Sequence, residues 1–239
     1  MKDLLDVHMH TLASGHAYNT IREMIAAGSK KGLALVGIAD HAPAMPGSTH
    51  RFYFENLRIF DREAYGKEAG VELLMGVELN ILNTTGKVDL EEKALRSVDY
   101  AIASLHDPCI NPGTELDNTT AIMSAMWVPQ VKIIGHPDNP KFPVDFDQIA
   151  KPPQSATSCS SATTAPTARA QPRRSRDLAK KMLQACKKYG THVIMGSDAH
   201  IDLDVGNHSL SEEVIREADF PEELVINSSP EKFKEWIRA

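Results

Sequence analysis

Apolar residues recur along the chain in short runs: LLDVHMH (4–10), LALVGIADH (33–41), VELLMGVELNIL (71–82), DYAIASLH (99–106), VKIIGHP (131–137) and THVIMGSDAH (191–200). Each is short, is rich in Val, Ile and Leu, and is followed by a longer segment of helical spacing, so each predicts a buried strand. Between the first two runs, Ile21, Met24, Ile25 and Gly28 fall on one helical face and Gly32 follows as a stop. Before the last run, Leu178, Met182 and Cys186 form a similar stripe that ends at Gly190. Strands alternating with helices predict an α/β fold, a mostly parallel sheet with helices outside. At least six such units within 239 residues fit a closed or nearly closed barrel better than two domains, so residues 1–239 read as a single domain.

One stretch breaks the pattern. From Lys151 to Asp177, KPPQSATSCSSATTAPTARAQPRRSRD contains no Leu, Ile, Val, Met or aromatic residue. Composition reads it as a low-complexity loop. A structureless insertion of that length is unusual inside a compact domain, and it sits where the alternation demands a strand. A compensated frameshift accounts for both facts. If the codons of Ala156 to Thr167 are read with each third base joined to the next two bases, suitable third bases spell His-Val-Leu-Leu-Glu-x-Asn-Asn-Ser-Ser-His, with x Arg or Cys. That is a buried strand with a polar end. Resequencing the gene without finding a frame ambiguity there would overturn this reading.

Composition narrows the function. A hydrophobic fraction of 42% with 24% charged residues is that of a soluble globular protein, and the net charge of −6 supplies no footprint for a nucleic-acid backbone. Three cysteines, Cys109, Cys159 and Cys186, form no CxxC pair, and their odd number argues against a disulfide framework. The start carries acids within its short apolar run and lacks a signal peptide, and no stretch approaches the ~18 apolar residues of a membrane helix. The expected location is the cytoplasm.

The chemistry lies at the strand exits. The first run ends in His8 and His10, the second in Asp40 and His41, the fourth in His106, the fifth in His136 and the sixth in Asp198 and His200, while the third carries Glu78. His16 follows the first strand closely enough to fold back over it. Alternation is expected to point Asp6, His8 and His10 one way and Leu5, Val7 and Met9 the other, toward packed helices. Active sites of parallel α/β folds form at these carboxyl ends, so a shared metal centre is expected. Imidazole and carboxylate without thiolate suit Zn, Mn, Fe, Co or Ni. So many ligands exceed one tetrahedral ion and imply two or three metals. Ions roughly 3.5–4 Å apart hold a bridging hydroxide and clamp the oxygens of an in-line displacement, which points to hydrolysis of a phosphate ester. His192 begins a strand and His208 lies in a loop, so both read as structural; His50 also lacks a strand-end placement.

DVHMHTLASGHAYNT, GIADHAPAMPG, GVELNI, ASLHDP, GHPDNPKF and MGSDAH, in this order, resemble the PHP (polymerase and histidinol phosphatase) family of metal-dependent phosphoesterases, most closely its stand-alone YcdX-type phosphatase branch. The resemblance runs from about residue 4 to 150 and from 176 to the end. It implies a distorted seven-stranded, TIM-like (β/α) barrel and a trinuclear centre of divalent transition metals, with zinc the first expectation and manganese or iron the alternatives. Carried over by motif, His8, His10, Glu78 and Asp198 hold one metal. Glu78 bridges to a second completed by His106 and His136, and His16, His41 and His200 hold the third. Glu78, Asp198 and His200 are the expected catalytic residues, while Asp6 and Asp40 orient ligands. In place of 152–175 the branch carries a strand ending like Glu-x-Asn-Asn-Ser-Ser, which the shifted frame supplies and the visible sequence lacks.

The main expectation is a small-molecule phosphomonoesterase, with Arg58 as the phosphate-binding candidate and Arg51 and His50 behind it. The alternatives are a histidinol-phosphate phosphatase, an exonuclease or structural metal module of the polymerase-associated type, and a metal protein inactivated by the altered segment. Neither nucleic acid nor a membrane is an expected partner. The substrate, the metal and the oligomeric state, homo-oligomer included, are left open.

Overall fold

The computed structural model describes residues 2–151, 159–161 and 172–238. Strand and helix alternate through them: β1 (Leu5–Asp6), α1 (Ile21–Lys31), β2 (Leu35–Ile38), α2 (Arg51–Asn56), α3 (Arg62–Ala69), β3 (Glu72–Met75), β4 (Val77–Asn80), α4 (Glu92–Leu95), β5 (Ala101–Ser104) and α5 (Glu115–Ala125). Then follow β6 (Val131–Ile134), α6 (Phe146–Ile149), β7 (Cys159–Ser161), α7 (Pro172–Tyr189), β8 (Val193–Ile194), α8 (Ser209–Glu217) and α9 (Pro230–Arg238). All strand pairs are parallel, as the α/β reading predicts.

Local signals set the helix limits. Thr20 and Glu23 form a capping box at the start of α1, and Gly32 ends it with φ 83°. Met24, Ile25 and Gly28 are buried there, and a methyl on Gly28 would come within 2.5 Å of Val36. In α7 the buried stripe is Ala179, Met182, Leu183 and Cys186, with Leu178 only half-buried at its edge. Cys109 and Cys186 carry free thiols, and no helix among the described residues is long and apolar enough to cross a membrane.

Among the described residues the strands form two parallel sheets, β1-β2-β3 and β4-β5-β6-β7-β8, whose ladders do not close into the expected seven-stranded barrel. The run 71–82 accounts for the break, since it yields two strands, one in each sheet, divided at Gly76. Tyr100 is the physical reason. Its buried ring fills the space between the strands and its hydroxyl donates to the Val7 carbonyl at 2.6 Å. A Cβ on Gly76 would lie 2.5 Å from that ring, and one on Gly37 would lie 2.3 Å from its hydroxyl oxygen. Isolated bridges, His41 to Glu78 and Met9 to Ala199, join the sheets and their outer edges near the strand exits.

The expected alternation of Asp6 with His8 and His10 fails. Pairing sets Leu5 beside Leu35 and Asp6 beside Val36, and Leu5 and Val7 join the inner cluster of Tyr100, Ile102 and Ile133. Asp6 therefore faces the other way. Its Oδ1 accepts the His8 N–H at 3.2 Å, an Asx-type turn that ends the ladder and swings the histidines inward.

A strand does occur within the anomalous segment. Cys159–Ser161 pairs with β6 through Ile133 and Ile134 and with β8 through Val193 and Ile194. Residues 152–158 and 162–171, on which most of the shifted-frame motif falls, lie outside the described residues.

Candidate metal centre

Glu78, fully buried in β4, is the hub. Its Oε1 lies 3.2 Å from His8 Nε2, 3.3 Å from His106 Nε2 and 3.1 Å from His136 Nε2. Its Oε2 lies 2.8 Å from His41 Nδ1 and 3.5 Å from His10 Nε2. Asp198 closes the far side, with Oδ1 3.0 Å from His10 Nε2 and 3.5 Å from His8 Nε2. His200 stacks on His10 and His16 at ring separations of 4.4 and 4.8 Å, and His16 also stacks on His41 at 4.9 Å. His16, the exposed member, marks the open flank. All nine residues expected as ligands thus converge on one place from six separate segments of chain.

Three overlapping groups have one ligand atom each within 4.8 Å of one another: His8, His10, Glu78 and Asp198; His41, Glu78 and His106; and His10, His41 and His200. The first is the set carried over by motif. The other two are composed differently from expectation, with His41 in place of His136 beside His106 and with His10 in place of His16 beside His200.

The surrounding hydrogen bonds decide how the imidazoles are protonated. Ser14 Oγ donates its single proton to Asp40 at 2.7 Å, so it must accept from His10 Nδ1 at 3.1 Å and from the His41 N–H at 3.0 Å. Asn80 donates to the Ala42 carbonyl and to Asp89, which leaves its Oδ1 to accept from His106 Nδ1 at 2.7 Å. His200 Nδ1 likewise donates to the Asp198 carbonyl at 2.8 Å. With Nδ1 protonated, a neutral His10 or His106 ring carries its lone pair on Nε2. Burial, followed by His41, holds His10 well below the usual imidazole range, and burial also lowers His106, so both are neutral.

Neutral lone pairs therefore face carboxylate oxygens at 3.0–3.3 Å, a repulsive arrangement unless a cation lies between them. The buried His8 Nδ1 and Nε2, His41 Nδ1 and Glu78 Oε2 also lack a hydrogen-bond partner. Orphan ligand atoms of this kind fit metal ions, and the oxygen and nitrogen donor set fits a divalent transition metal. Burial opposes ionisation of His8, but Glu78 and Asp198 outweigh it and raise its imidazolium to about 9. Burial likewise opposes the Glu78 carboxylate, yet His8, His106 and His41 hold it well below its usual range. Two candidate ligands sit in left-handed backbone, His136 at φ 30° and Asp198 at φ 51°, a strain that persists where the surroundings demand a particular side-chain direction.

Asp40, expected to orient a ligand, accepts from Thr11, Ser14 and Tyr53 and so reaches His10 through Ser14. Other bracing residues escaped the strand-end reading. Ser104 donates to Glu78 Oε1 at 2.6 Å, and Gly135 keeps the space open, since a Cβ there would lie 2.1 Å from Ser104 Oγ. Asn80 and Ser104 lie two residues from Glu78 and His106, and that two-residue spacing was the signal available for them. The phosphate candidates make other contacts. Arg58 lines a cavity of about 350 Å³ with Phe52, Glu55, Asn56, Lys93 and Ser97. His50 caps α2 by accepting the Phe52 N–H, and Arg51 faces Glu55 and Glu91.

Parallel α/β architecture with a buried carboxylate–imidazole centre at its strand exits defines the class of metal-dependent hydrolases. The model of the PHP domain matches residues 6–155, and the chain belongs to that family. It is 42% identical over 234 residues to a probable phosphatase of Caldicellulosiruptor saccharolyticus, covering 98% of this chain and 95% of the relative. It is 39% identical over 239 residues to a probable phosphatase of Clostridium acetobutylicum, covering 100% and 96%. Among solved structures it resembles histidinol phosphate phosphatase from Lactococcus lactis, complexed with zinc, L-histidinol and phosphate. The TM-score is 0.61 at 16% identity, covering 92% of this chain and 95% of that one, a likeness of fold.

Proposed function

We propose that the chain hydrolyses phosphate monoesters of small molecules at a multinuclear, trinuclear metal centre set in a distorted barrel. As an enzyme it is a metal-dependent phosphoric monoester hydrolase. One observation carries the reading: neutral His10 and His106 aim lone pairs at Asp198 and Glu78, an arrangement that shared cations make favourable. The relatives named probable phosphatases span nearly the whole chain and support the reaction class.

His8, His10, Glu78 and Asp198 would hold one ion, His106 and His136 would complete a second site with Glu78, and His16, His41 and His200 would hold the third. When bound, the metals supply Lewis acidity toward phosphoryl oxygens and lower the pKa of water. The protein's own part is preorganisation. Ser14, Asn80 and Ser104 fix the ring tautomers and the Glu78 rotamer, and Tyr100 with the strands beneath excludes water from the floor. His16 on the open flank is where substrate enters.

The test is metal analysis of chelator-free protein, paired with hydrolysis of p-nitrophenyl phosphate and histidinol phosphate before and after chelation. Two to three transition-metal ions per chain and activity lost on chelation, restored by zinc or manganese, are the expected results. A metal-free protein, or activity indifferent to chelator, overturns the reading. Hydrolysis confined to histidinol phosphate would make that ester the substrate.

A further inference from the structure

Below the metal centre, along the seam between β1 and β8, lies a second cluster of ionisable groups. His208, buried at the start of α8, has Nδ1 2.6 Å from Asp3 Oδ2 and Nε2 3.6 Å from Asp6 Oδ2. Asp6 is fully buried and accepts three backbone N–H groups: His8 and Ser197, each at 3.2 Å, and Gly206 at 2.9 Å. Those donors belong to three different pieces of chain. The first leads into His8 and His10, the second carries Asp198 and His200, and the third is the turn into α8.

β1 and β8 share no ladder among the described residues; the seam is joined instead by side chains and by the Met9 to Ala199 bridge. At its lower end Asn227 donates to the Leu5 and Met195 carbonyls and accepts the Met195 N–H. At its upper end Asp6 does the equivalent work. An ionised carboxylate there is costly unless a cation shares the burial. His208 supplies it: burial opposes its charge, but Asp6 and Asp3 prevail and raise the imidazolium to about 10.

We propose that His208 is a positioning residue of the metal centre, the buried counter-ion of Asp6 that holds the His8–His10 segment in register with the Asp198–His200 loop. The proposal rests on the metal-site reading above. The Asp6 carboxylate is the only side-chain clamp described between the His8 backbone and the residue preceding Asp198. Without its counter-ion, Asp6 gains by turning toward water, and the set of His8, His10, Glu78 and Asp198 loses its spacing. A residue 198 positions away in sequence from His10 thereby governs how well that ligand binds.

The experiment titrates chelator-stripped protein with zinc against a chromophoric chelator, and with cobalt(II) by visible absorption. It compares wild type, His208→Gln, His208→Leu, Asp6→Asn/His208→Gln, and Ile122→Ala as a core truncation remote from the seam. The His208 single variants are expected to bind the tightest ion roughly 10- to 100-fold more weakly, the range typical of lost outer partners, with altered cobalt bands. Ile122→Ala, though less stable, keeps wild-type affinity and spectrum. Removing both charges is expected to restore part of the affinity lost with His208 alone, a non-additivity that a purely structural role would not produce. Unchanged zinc affinity and cobalt bands in folded His208→Gln overturn the proposal. Should His208→Leu fail to fold, His208→Gln, which can still bond Asp3, carries the comparison. Wild type that binds no metal overturns the metal-site reading and this proposal with it, a different result from wild type and variant binding alike.

Discussion

The two flanks of Glu78 are held by different means. On the side of β2, β4 and β5, hydrogen bonds reach back from the ligands into the fold: Ser14 and Asp40 behind His10, Ser14 on the His41 N–H, Asn80 and Asp89 behind His106, Ser104 on Glu78 itself. On the side of β6 and β8, His136 and Asp198 stand in left-handed backbone and the buried Asp138 Oδ2 has no hydrogen-bond partner. Between β6 and β8 runs β7, whose three residues, Cys159–Ser161, include no Val, Ile or Leu. The braced flank grows from strands whose apolar residues continue into polar exits. The strained flank borders the one strand whose sequence offers little to a core. Precision at this centre thus depends on the apolar strand below each ligand as much as on the ligand.

The sharpest way to break the comparison is to change β7. If the strained flank reflects a shifted reading frame, replacing Ala156–Thr167 by the peptide of the alternate frame would place Val and two Leu residues beside β6 and β8. Each apolar side chain buried contributes about 1.5–3 kcal/mol, and each kcal/mol raises the melting midpoint of a chain this size by roughly 2–4 °C. The repaired protein is expected to melt about 10 °C or more above the original by calorimetry. An unchanged or lower midpoint would detach the strained flank from the strand's composition.

A smaller effect is expected on the braced flank. Asn80→Ala removes the acceptor of the His106 Nδ1–H and unfastens Asp89, while the ring itself remains. Its zinc affinity is expected to fall roughly 10- to 100-fold, read by chelator competition, with kcat of the zinc-saturated protein less affected. If the loss is under about twofold, the hydrogen bonds behind that flank are incidental and the contrast fails.

Much of this contrast was legible in the sequence. The apolar runs give every strand that carries a candidate ligand, and the strand-exit residues give the whole histidine cluster, because both patterns are local and repeat with the period of the structure that forms. The division of 71–82 at Gly76 was not legible, since its cause, Tyr100, lies 24 residues on and acts by filling volume. The inward turn after Asp6 was also hidden. An Asx-type turn competes with continued extension, and what stabilises it here includes Gly206 and His208, about 200 residues away. Ser14, Asn80 and Ser104 carry no chemistry distinctive enough to stand out from ordinary polar positions until their partners are in place.

A further expected effect belongs to the seam where the two flanks meet. His208 has its imidazolium raised by Asp6 and Asp3, against burial, from about 6.5 to about 10. A cationic group with a raised folded pKa contributes its full stability below the unfolded value, near pH 6.5, and loses it as pH climbs through about 10. The slope for one such proton is at most about 1.4 kcal/mol per pH unit, so urea midpoints of the metal-free protein should decline between pH 7 and 10. His208→Gln, less stable at neutral pH, should show that decline flattened, the two curves converging toward pH 10. Parallel curves would mean that Asp6 stays ionised without its histidine, and that the seam is held by the three backbone donors alone.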